Sequence, residues 1–526
     1  MLKRQRVLSY ILCLSVTLMF SKCGFLMLRP YFTKTDHEKN AYKIIVSESR
    51  GNIYDRNGEK LVNDTEETTL LIKPTDESIR FLRENLKTAD FLEIQESLLK
   101  GLPTGLKLNS PLSEHENIVQ LKTYKRYSDS NLLRHIIGYV DINGNGVCGI
   151  EKSFENILNA ANRKISAVFS VSAMNTVLVG ENISIDTNDY YSKDGISLTI
   201  DKNIQMICEE AVDFFDIERG AVVVLDVSTS EILAIASRPD YDPMQVGKSL
   251  NNEQSPLINR ALSAYSTGSV FKLVVSAAAI EKGFYGEYEC VGKTEVGNIT
   301  FNCHKEDGHG VLGLEEAISQ SCNTYFINLA KAIGAESIIK TAEKLGFGKS
   351  TFLCEDIISD SGYLPDITEI NSEGALANIS FGQGSLTSTP LQIALLTSII
   401  ANKGNFINPT LLRGIVDNEG NSEKEVPEAP NKVLSEDVCD LLKESMKNAV
   451  ESGTGKKAKP INTTAGVKTS TAENADGSYN SWVTGFFPAD NPEYAIAIVK
   501  EDGVSGGEDC GPVFKRIAEK ITLLSR

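Results

Sequence analysis

The alternation of apolar and polar positions divides the chain into an N-terminal apolar run and a longer globular part. The run covers residues 7–28 and follows a basic segment over residues 1–6. A helix of this length, at about 1.5 Å per residue, would cross the hydrocarbon core of a bilayer, which is about 30 Å thick. Basic residues ahead of such a helix favour a cytoplasmic N-terminus. We therefore predict an uncleaved single-pass membrane anchor over 7–28, a cytoplasmic segment over 1–6 and an extracytoplasmic remainder.

Two other interpretations of this run stay open. A cleaved signal peptide has the same order of basic and apolar segments, but the sequence contains no small-residue cleavage site of the Ala-x-Ala type. A buried helix of a soluble protein is the second alternative. Lys22 interrupts the run, and its long side chain would reach the far interface in the anchored form.

Between residues 29 and 195 the pattern predicts short strands and helices. Residues 68–72 predict a strand after an Asn57-Gly58 turn. Residues 75–110 predict helical structure, because apolar residues such as Leu82 and Phe91 recur at helical spacing. Residues 160–195 are polar and irregular, and they predict a linker or an extended arm.

A second domain is predicted over 196–526. Its predicted strands are 221–227, 232–236, 482–487 and 494–500, and its predicted helices include 272–282, 390–400 and 434–450. Thr389 and Ser435 are suitable N-caps for the last two helices. Strands at both ends of a domain, with helices between them, predict a helix–sheet–helix layering in which the first and last strands pair in one sheet. The predicted fold class is therefore α/β (α+β).

Composition restricts the class of protein. The chain has 526 residues, of which 41% are hydrophobic and 23% are charged, and these values are typical of globular proteins. At about 100–200 residues per domain, this length predicts two to four units. The formal net charge of −17 and the lack of a basic tract argue against nucleic acid as a partner.

Three short motifs supply the parts for acyl transfer through a serine ester. They are Ser269-Val270-Phe271-Lys272, Ser321-Cys322-Asn323 and Lys468-Thr469-Ser470. Each motif alone carries little information, since Ser97-Leu98-Leu99-Lys100 and Ser249-Leu250-Asn251 occur elsewhere in the chain. Their order and context carry the prediction, because together they provide a nucleophile, a base, a proton relay and groups that bind a substrate.

The first motif opens an apolar helix directly after Gly268. Ser269 and Lys272, three positions apart, lie on one helical face, and apolar neighbours would lower the pKa of Lys272 enough to make it a base. We predict Ser269 as the nucleophile and Lys272 as its base. The unpaired N–H groups at a helix start suit a developing oxyanion, and Ser269 is predicted to give one such donor.

The other two motifs complete the predicted site. Ser321 is predicted to pass a proton between Lys272, Lys468 and the leaving group, and Asn323 to hold a substrate peptide bond. Lys468 and Thr469 lie on a predicted strand and are predicted to bind a terminal carboxylate. Thr471 is predicted to give the second oxyanion N–H donor.

Ten cysteines are many for an extracytoplasmic chain. Four residues, Cys290, Cys303, His309 and Cys322, offer three thiolates and one imidazole, which is a conventional structural zinc set. Cys322 is also the middle residue of the second motif, so a metal would tie that motif to the segment after the nucleophile helix. The alternatives are a Cys290–Cys303 disulfide with Cys322 as a buried thiol, and His304 in place of His309 as a ligand.

The chain resembles the class B penicillin-binding proteins from about residue 47 to its C-terminus. Beyond the three motifs, the resemblance rests on several other sequence segments and two single residues. They are Arg50-Gly51-Asn52-Ile53-Tyr54-Asp55-Arg56-Asn57-Gly58, Arg126, Gly149-Ile150-Glu151-Lys152, Gly382-Gln383-Gly384, Thr389-Pro390-Leu391-Gln392 and Trp482. The resemblance implies a transpeptidase fold with a central antiparallel sheet between helices over 196–526, and a non-catalytic pedestal over 29–195.

The same resemblance implies a function. Ser269 would attack the penultimate D-alanine carbonyl of a peptidoglycan stem peptide, and an amine of a neighbouring stem would resolve the ester into a cross-link. β-Lactams would acylate the same serine. No glycosyltransferase domain fits before residue 196, so a partner glycosyltransferase is implied. Some members similar to this chain carry a zinc site beside the active site, with ligands at similar spacing.

One position departs from the family pattern. The family usually has Lys-Thr-Gly where this chain has Lys468-Thr469-Ser470, and glycine leaves room for a ligand beside the backbone. We expect Ser470 to preserve acylation but to alter the preference among β-lactams.

Two rival functions belong to other classes. A hydrolase, either a β-lactamase or a D,D-carboxypeptidase, would turn over a penicillin instead of keeping a persistent adduct. A non-catalytic scaffold for cell-wall synthesis would form no adduct at all, although the complete set of Ser269, Lys272, Ser321 and Asn323 argues against it.

Overall fold

The computed structural model describes residues 14–22, 41–128, 132–159, 163–172, 176–178, 180–424 and 428–524. These residues form two compact units. The first unit is built from Met1–Arg50, Thr65–Arg126 and Asn162–Ser192, and the second from Gly51–Asp64, Tyr127–Ala161 and Lys193–Arg526. The predicted pedestal over 29–195 therefore contributes residues to both units, and its boundary stays a prediction.

The apolar N-terminal run is described only in part. Residues 14–22 form helix α1, and the other residues of the predicted anchor lie outside the described residues, as does the predicted segment over 1–6. In the described part of the chain, no helix combines the length and the apolar character needed to cross a membrane.

The remaining elements follow in chain order. The strands are β1 (Ala41–Glu48), β2 (Asn52–Tyr54), β3 (Thr65–Ile72), β4 (Thr104–Leu108), β5 (Ile118–Lys125), β6 (Lys164–Ser170), β7 (Ser184–Asp186), β8 (Gly195–Leu198), β9 (Gly220–Asp226), β10 (Ile232–Arg238), β11 (Tyr265–Ser266), β12 (Tyr288–Cys290), β13 (Lys293–Val296), β14 (Ile299–Asn302), β15 (Gly310–Leu312), β16 (Phe352–Cys354), β17 (Ile357–Ile358), β18 (Thr387–Ser388), β19 (Asn405–Phe406), β20 (Leu412–Val416), β21 (Ser422–Lys424), β22 (Asn431–Lys432), β23 (Gly466–Glu473), β24 (Tyr479–Phe487) and β25 (Tyr494–Lys500). The helices are α2 (Asp76–Asn85), α3 (Thr88–Leu99), α4 (Arg134–Ile137), α5 (Gly149–Ser153), α6 (Glu155–Leu158), α7 (Lys202–Phe214), α8 (Lys272–Glu281), α9 (Leu314–Ser319), α10 (Asn323–Ile333), α11 (Ala335–Lys344), α12 (Glu373–Ser380), α13 (Pro390–Ala401), α14 (Glu436–Glu451), α15 (Gly506–Asp509) and α16 (Gly511–Leu524). Short 3₁₀ helices cover Val246–Lys248, Gly268–Phe271 and Lys456–Ala458.

The first unit contains two three-stranded antiparallel sheets, in the orders β1-β6-β7 and β4-β3-β5. The helical prediction for 75–110 is correct for α2 and α3 but wrong beyond residue 99. Gly101, at φ +68°, and Pro103 end the helical stretch, and β4 then pairs with β3.

The prediction of an irregular segment over 160–195 is wrong for β6. Alternate residues of this strand, Ile165, Ala167 and Phe169, are buried in a hydrophobic cluster of the first unit. This alternation indicates a half-buried strand, with Val168 between them only partly buried.

The second unit is built around a five-stranded antiparallel sheet in the order β10-β9-β25-β24-β23. The predicted pairing of the first and last strands is confirmed, because β9 and β25 pair from Gly220 with Lys500 to Asp226 with Tyr494. Side chains alternate between the two faces, so that Val223 joins the cluster around α8 and α13 while Val224 joins the cluster of α7 and α16. Both faces of the sheet are therefore covered by helices.

The predicted helices of this unit are confirmed. Helix α13 is buried at every position, and its N-cap Thr389 accepts a hydrogen bond from the backbone N–H of Gln392. The Gln392 side chain accepts in return from the Thr389 N–H at 2.9 Å, which completes a capping box with Pro390 at the first helical position. Ser435 caps α14 in the same manner, through the N–H of Val438.

Candidate active site

The three predicted motifs meet in one cleft of about 580 Å³ in the second unit. Six predicted residues line it: Ser269, Ser321, Asn323, Thr469, Ser470 and Thr471. The two predicted lysines, Lys272 and Lys468, lie fully buried beneath it. Segments about 200 positions apart in the sequence therefore build a common site.

Ser269 is held on a tight turn at the start of the nucleophile helix. It lies in the 3₁₀ turn Gly268–Phe271, and α8 continues directly from Lys272. Gly268 adopts φ +60°, and its N–H donates to the carbonyl of Gly382 at 2.8 Å. A Cβ on Gly382 would lie 1.9 Å from the Gly268 carbonyl oxygen, so glycine is required where these two backbones meet.

The Ser321 hydroxyl lies between the Nζ atoms of two lysines. Lys468 Nζ donates to Ser321 Oγ at 2.9 Å, and Lys272 Nζ donates to the same oxygen at 3.2 Å. Lys272 Nζ also donates to the Ser321 carbonyl at 2.8 Å and to Asn323 Oδ1 at 2.7 Å. One hydroxyl thus links the two lysines, as a proton relay requires.

Ser321 reaches this position through an unusual backbone conformation. Its φ is +57°, in the left-handed region that non-glycine residues seldom adopt. Such a conformation costs on the order of 1–3 kcal/mol and persists only where the surroundings determine it. Here the surroundings are helix α9 on one side, helix α10 on the other and the Lys272 ammonium on the carbonyl.

Burial changes the acid–base properties of both lysines. Lys272 is fully enclosed, and desolvation lowers its pKa to about 7, although the nearby Cys322 and Cys303 thiols act in the opposite direction. Its Nζ also lies 5.4 Å from the centre of the Phe326 ring. Burial, together with the charge of Lys272, lowers the pKa of Lys468 well below its ordinary value. A lysine of pKa near 7 is suited to accept a proton at neutral pH.

The third motif lies on β23, as predicted. Lys468 is buried at 0% exposure, and its Nζ donates to the carbonyl of Thr469 at 2.8 Å. The Thr469 hydroxyl donates to Thr454 Oγ1 at 2.7 Å. Thr471 is exposed on the same strand, and its hydroxyl accepts from the N–H of Gly506 at 3.4 Å.

Ser470, the residue that departs from the family pattern, is directed at the nucleophile turn. Its side chain is 3% exposed, and its Oγ donates to the carbonyl of Thr267 at 3.2 Å.

Sequence reasoning missed several residues of the cleft. Thr454 holds the hydroxyl of Thr469, and the lining also includes His304, Lys456, Lys457 and Glu508. Two glycine-containing segments of the sequence could have indicated this part of the cleft. They are Gly453-Thr454-Gly455, ahead of β23, and Gly506-Gly507, after β25. A Cβ on Gly506 would lie 2.4 Å from the carbonyl oxygen of Ser470, so this glycine lets α15 approach β23.

The predicted metal ligands cluster beside the cleft. The ligand atoms of Cys290, Cys303, His309 and Cys322 all lie within 4.8 Å of one another. Cys303 Sγ and Cys322 Sγ are 3.9 Å apart, and His309 Nδ1 is 3.5 Å from the sulfur atoms of both Cys290 and Cys303. His304, the alternative ligand, has its Nδ1 3.9 Å from Cys303 Sγ and is not part of this four-residue cluster.

The cysteine thiols of the cluster influence one another. The contact between the sulfur atoms of Cys303 and Cys322 lowers the pKa of Cys303 and raises the pKa of Cys322, and burial lowers the pKa of His309. All eight cysteines within the described residues are free thiols, so no disulfide joins Cys290 to Cys303 there.

The cluster connects three segments of the second unit. Cys290 ends β12, Cys303 and His309 belong to the loop between β14 and β15, and Cys322 is the N-cap of α10. Asn323 Nδ2 donates to the carbonyl of Asn302 at 3.4 Å, which adds a direct link between this loop and the second motif.

Comparisons with known proteins find relatives of this chain. The sequence profile of the penicillin-binding protein transpeptidase domain matches residues 220–519. Stage V sporulation protein D of Bacillus subtilis is 28% identical over 502 residues, covering 86% of this chain and 74% of that protein. The peptidoglycan D,D-transpeptidase MrdA of Acinetobacter baumannii is 28% identical over 582 residues, covering 94% of this chain and 84% of that protein.

Solved structures share the fold. Penicillin-binding protein 3 of Mycobacterium tuberculosis, complexed with aztreonam, superposes with a TM-score of 0.66 at 23% identity, covering 92% of this chain and 97% of that one. The complex between penicillin-binding protein 2 and MreC from Helicobacter pylori gives a TM-score of 0.66 at 23% identity, covering 92% and 99%. The mixed α/β fold predicted from the sequence is therefore confirmed.

Proposed function

We propose that this chain, which belongs to the penicillin-binding protein transpeptidase family, is a class B enzyme: a peptidoglycan D,D-transpeptidase that β-lactams acylate. The observation that carries the proposal is the Ser321 hydroxyl, which bridges Lys272 and Lys468 in the cleft that Ser269 lines. This arrangement brings together a nucleophile, a base with a pKa of about 7 and a proton relay at one cleft.

Acylation uses the described groups in sequence. Ser269 Oγ forms a bond to the carbonyl carbon of the penultimate D-alanine, and its proton passes to neutral Lys272. The N–H groups of Ser269 and Thr471 stabilise the resulting oxyanion. As the peptide bond to the terminal D-alanine breaks, Ser321 delivers a proton to the leaving amine and takes one from protonated Lys272, which becomes neutral again. Thr469, which lines the cleft, binds the terminal carboxylate through its hydroxyl, and Asn323 binds the amide of the acyl chain.

The second half of the reaction resolves the ester. An amine from a neighbouring stem peptide attacks the acyl carbon and loses a proton to Lys272. The new peptide bond forms as the ester bond to Ser269 breaks, and Lys272 returns the proton to Ser269 Oγ. The products are a cross-linked stem and free enzyme. A β-lactam ring opens at the first step and leaves a persistent ester on Ser269.

The cysteine cluster fits a structural zinc ion. In a tetrahedral site with Zn–S distances of about 2.3 Å, neighbouring sulfur atoms lie about 3.8 Å apart. The 3.9 Å between Cys303 and Cys322 agrees with that spacing, and the set of three thiols and one imidazole is a common zinc set. Cys290, Cys303, His309 and Cys322 would hold the ion, which would neutralise their charge and cross-link the loop to the second motif.

The proposal extends to location and partners. The apolar run over 7–28 would anchor the chain in the cell membrane as a single pass, with the catalytic unit outside the cytoplasm. A partner glycosyltransferase would supply the glycan strands.

Intact-mass spectrometry after exposure to benzylpenicillin tests the proposal. We expect one adduct per chain that persists for many minutes in the wild type and is absent in the Ser269→Ala variant. An adduct that survives in Ser269→Ala, or no adduct in a folded wild type, would contradict the proposal. Rapid turnover of the penicillin would instead favour a hydrolase.

A further inference from the structure

The turn that precedes the nucleophile is tied to the rest of the unit at successive residues. The indole Nε1 of Trp482 donates to the carbonyl of Ser266 at 3.1 Å. Ser470 Oγ donates to the carbonyl of the next residue, Thr267, and the N–H of Gly268 donates to Gly382. The backbone of residues 266–268 is therefore held from both sides immediately before Ser269.

Ser470 occupies the space that Gly268 leaves open. A Cβ on Gly268 would lie 2.3 Å from Ser470 Oγ and 2.9 Å from the Cβ of Ala472. Thr267 is fully buried, so its contact with Ser470 excludes water. The hydroxyl of Ser470 is thus packed between strand β23 and the nucleophile turn.

The contact between Ser470 and Thr267 is important because Ser470 lies directly before Thr471 on strand β23. The next residue along the strand, Thr471, offers one oxyanion N–H in the proposed reaction, and Ser269 offers the other. The bond from Ser470 to Thr267 therefore links the strand that carries one donor to the turn that carries the other. A hydrogen bond of this kind fixes the spacing of the two donors, on which stabilisation of the oxyanion depends.

We infer that Ser470 is a positioning residue for Ser269, and that it acts through Thr267 on the acylation step of every acylating substrate. The inference rests on the proposed acyl-transfer function. It differs from the expectation drawn from the sequence, in which Ser470 alters the preference among β-lactams. A group that contacts the ligand changes its binding selectively, whereas a group that positions the nucleophile changes the rate constant of acylation uniformly.

The test measures the acylation rate constant and the pre-covalent dissociation constant separately, for a penicillin, a cephalosporin and a thioester substrate. In Ser470→Ala and Ser470→Gly we expect the rate constant to fall about 3- to 10-fold, as for the loss of one net hydrogen bond. The factor should be similar for all three reagents, with the dissociation constants unchanged.

Ser445→Ala is the matched control. Ser445 is also fully buried and donates to a backbone carbonyl, that of Leu441 at 2.8 Å, but it lies inside α14. This variant should lose thermal stability without losing acylation rate. An unchanged rate constant in Ser470→Ala, or factors that differ strongly among the three reagents, would overturn the inference.

Hydrogen–deuterium exchange separates this inference from the proposed function, since it needs no acylation. The peptide that covers residues 265–271 should exchange faster in Ser470→Ala than in the wild type, while Ser445→Ala leaves it unchanged. Equal protection of this peptide in Ser470→Ala and the wild type would also overturn the role of Ser470, whatever the enzyme does with penicillin.

Discussion

Lys272 shows how surroundings convert an ordinary side chain into a base. The sequence predicts this role because apolar residues flank the lysine in its helix, and the structure encloses the ammonium completely, with its pKa lowered to about 7. Its partners Ser321 and Asn323 come from another segment. The spacing of a motif predicts such a residue, but the partner distances depend on tertiary packing.

Acylation should therefore depend on pH through Lys272. Below about pH 7 the lysine binds a proton and cannot accept one from Ser269, so the acylation rate should fall about tenfold per pH unit. Stopped-flow measurement with a chromogenic cephalosporin between about pH 5 and pH 8.5 checks this.

The control for this profile is Lys272→Arg, which keeps the charge but removes the base. It should lose about 10²- to 10⁴-fold in acylation rate. A wild-type rate that stays constant from about pH 5 to pH 8 would show that another group accepts the proton.

The direction of the Ser470 side chain could not be predicted from the sequence. The motif identifies the position on β23, but either face of a strand is available to a side chain until the register with β24 is known. That register pairs Ser470 with Trp482, and both side chains then donate to the turn before Ser269.

At the scale of elements, local rules predict the helices of the second unit well. Thr389, Pro390 and Gln392 form a capping box that is legible in the sequence, and α13 begins where it predicts. Strands β4 and β6 are not predicted by the local pattern. Strand β4 has apolar side chains only at Leu106 and Leu108, and the pairing of β4 with β3 and of β6 with β1 places the two strands.

The capping box gives a prediction for α13. Thr389→Ala removes the oxygen that accepts from the Gln392 N–H in a fully buried site, and it should lower the free energy of unfolding by about 1–2 kcal/mol. Thr389→Ser keeps the oxygen and should cost clearly less. Chemical denaturation checks both variants, and equal losses would mean that the methyl group, not the cap, stabilises the helix.

The loop between β14 and β15 gives a prediction about metal. Purified wild-type protein should contain about one zinc per chain, and Cys303→Ala should lose it and unfold at a lower temperature. Cys439→Ala is the matched control, since Cys439 is a buried free thiol outside the cluster. Metal analysis measures the zinc content, and thermal unfolding measures the change in unfolding temperature. A metal-free wild type with one disulfide by mass would refute the zinc site.

At the scale of the whole molecule, the sequence predicts the central sheet and its closing pair of strands. Hydrophobic strands at both ends of the second domain indicate that they meet, and β9 and β25 do so. The division into two units was less accessible, because segments such as Gly51–Asp64 belong to the second unit through a parallel pairing of β2 with β8. A pairing across about 140 residues leaves no local signal.

The apolar run over 7–28 gives a prediction about location. The full chain should sediment with the membrane fraction and resist extraction by salt, and a chain that begins at residue 29 should remain in the soluble fraction. Both forms should acquire the penicillin adduct. Recovery of a shortened N-terminus from the full-length gene would indicate a cleaved signal peptide instead.

The strand order has a consequence for the timing of activity during biosynthesis. Strand β25 occupies the middle of the sheet and joins β9 to β24 and β23, although it comes after all three in the sequence. A polypeptide that stops before β25 lacks the strand that joins the third motif to the rest of the sheet. We therefore expect such a truncated polypeptide to be inert toward antibiotics during its synthesis.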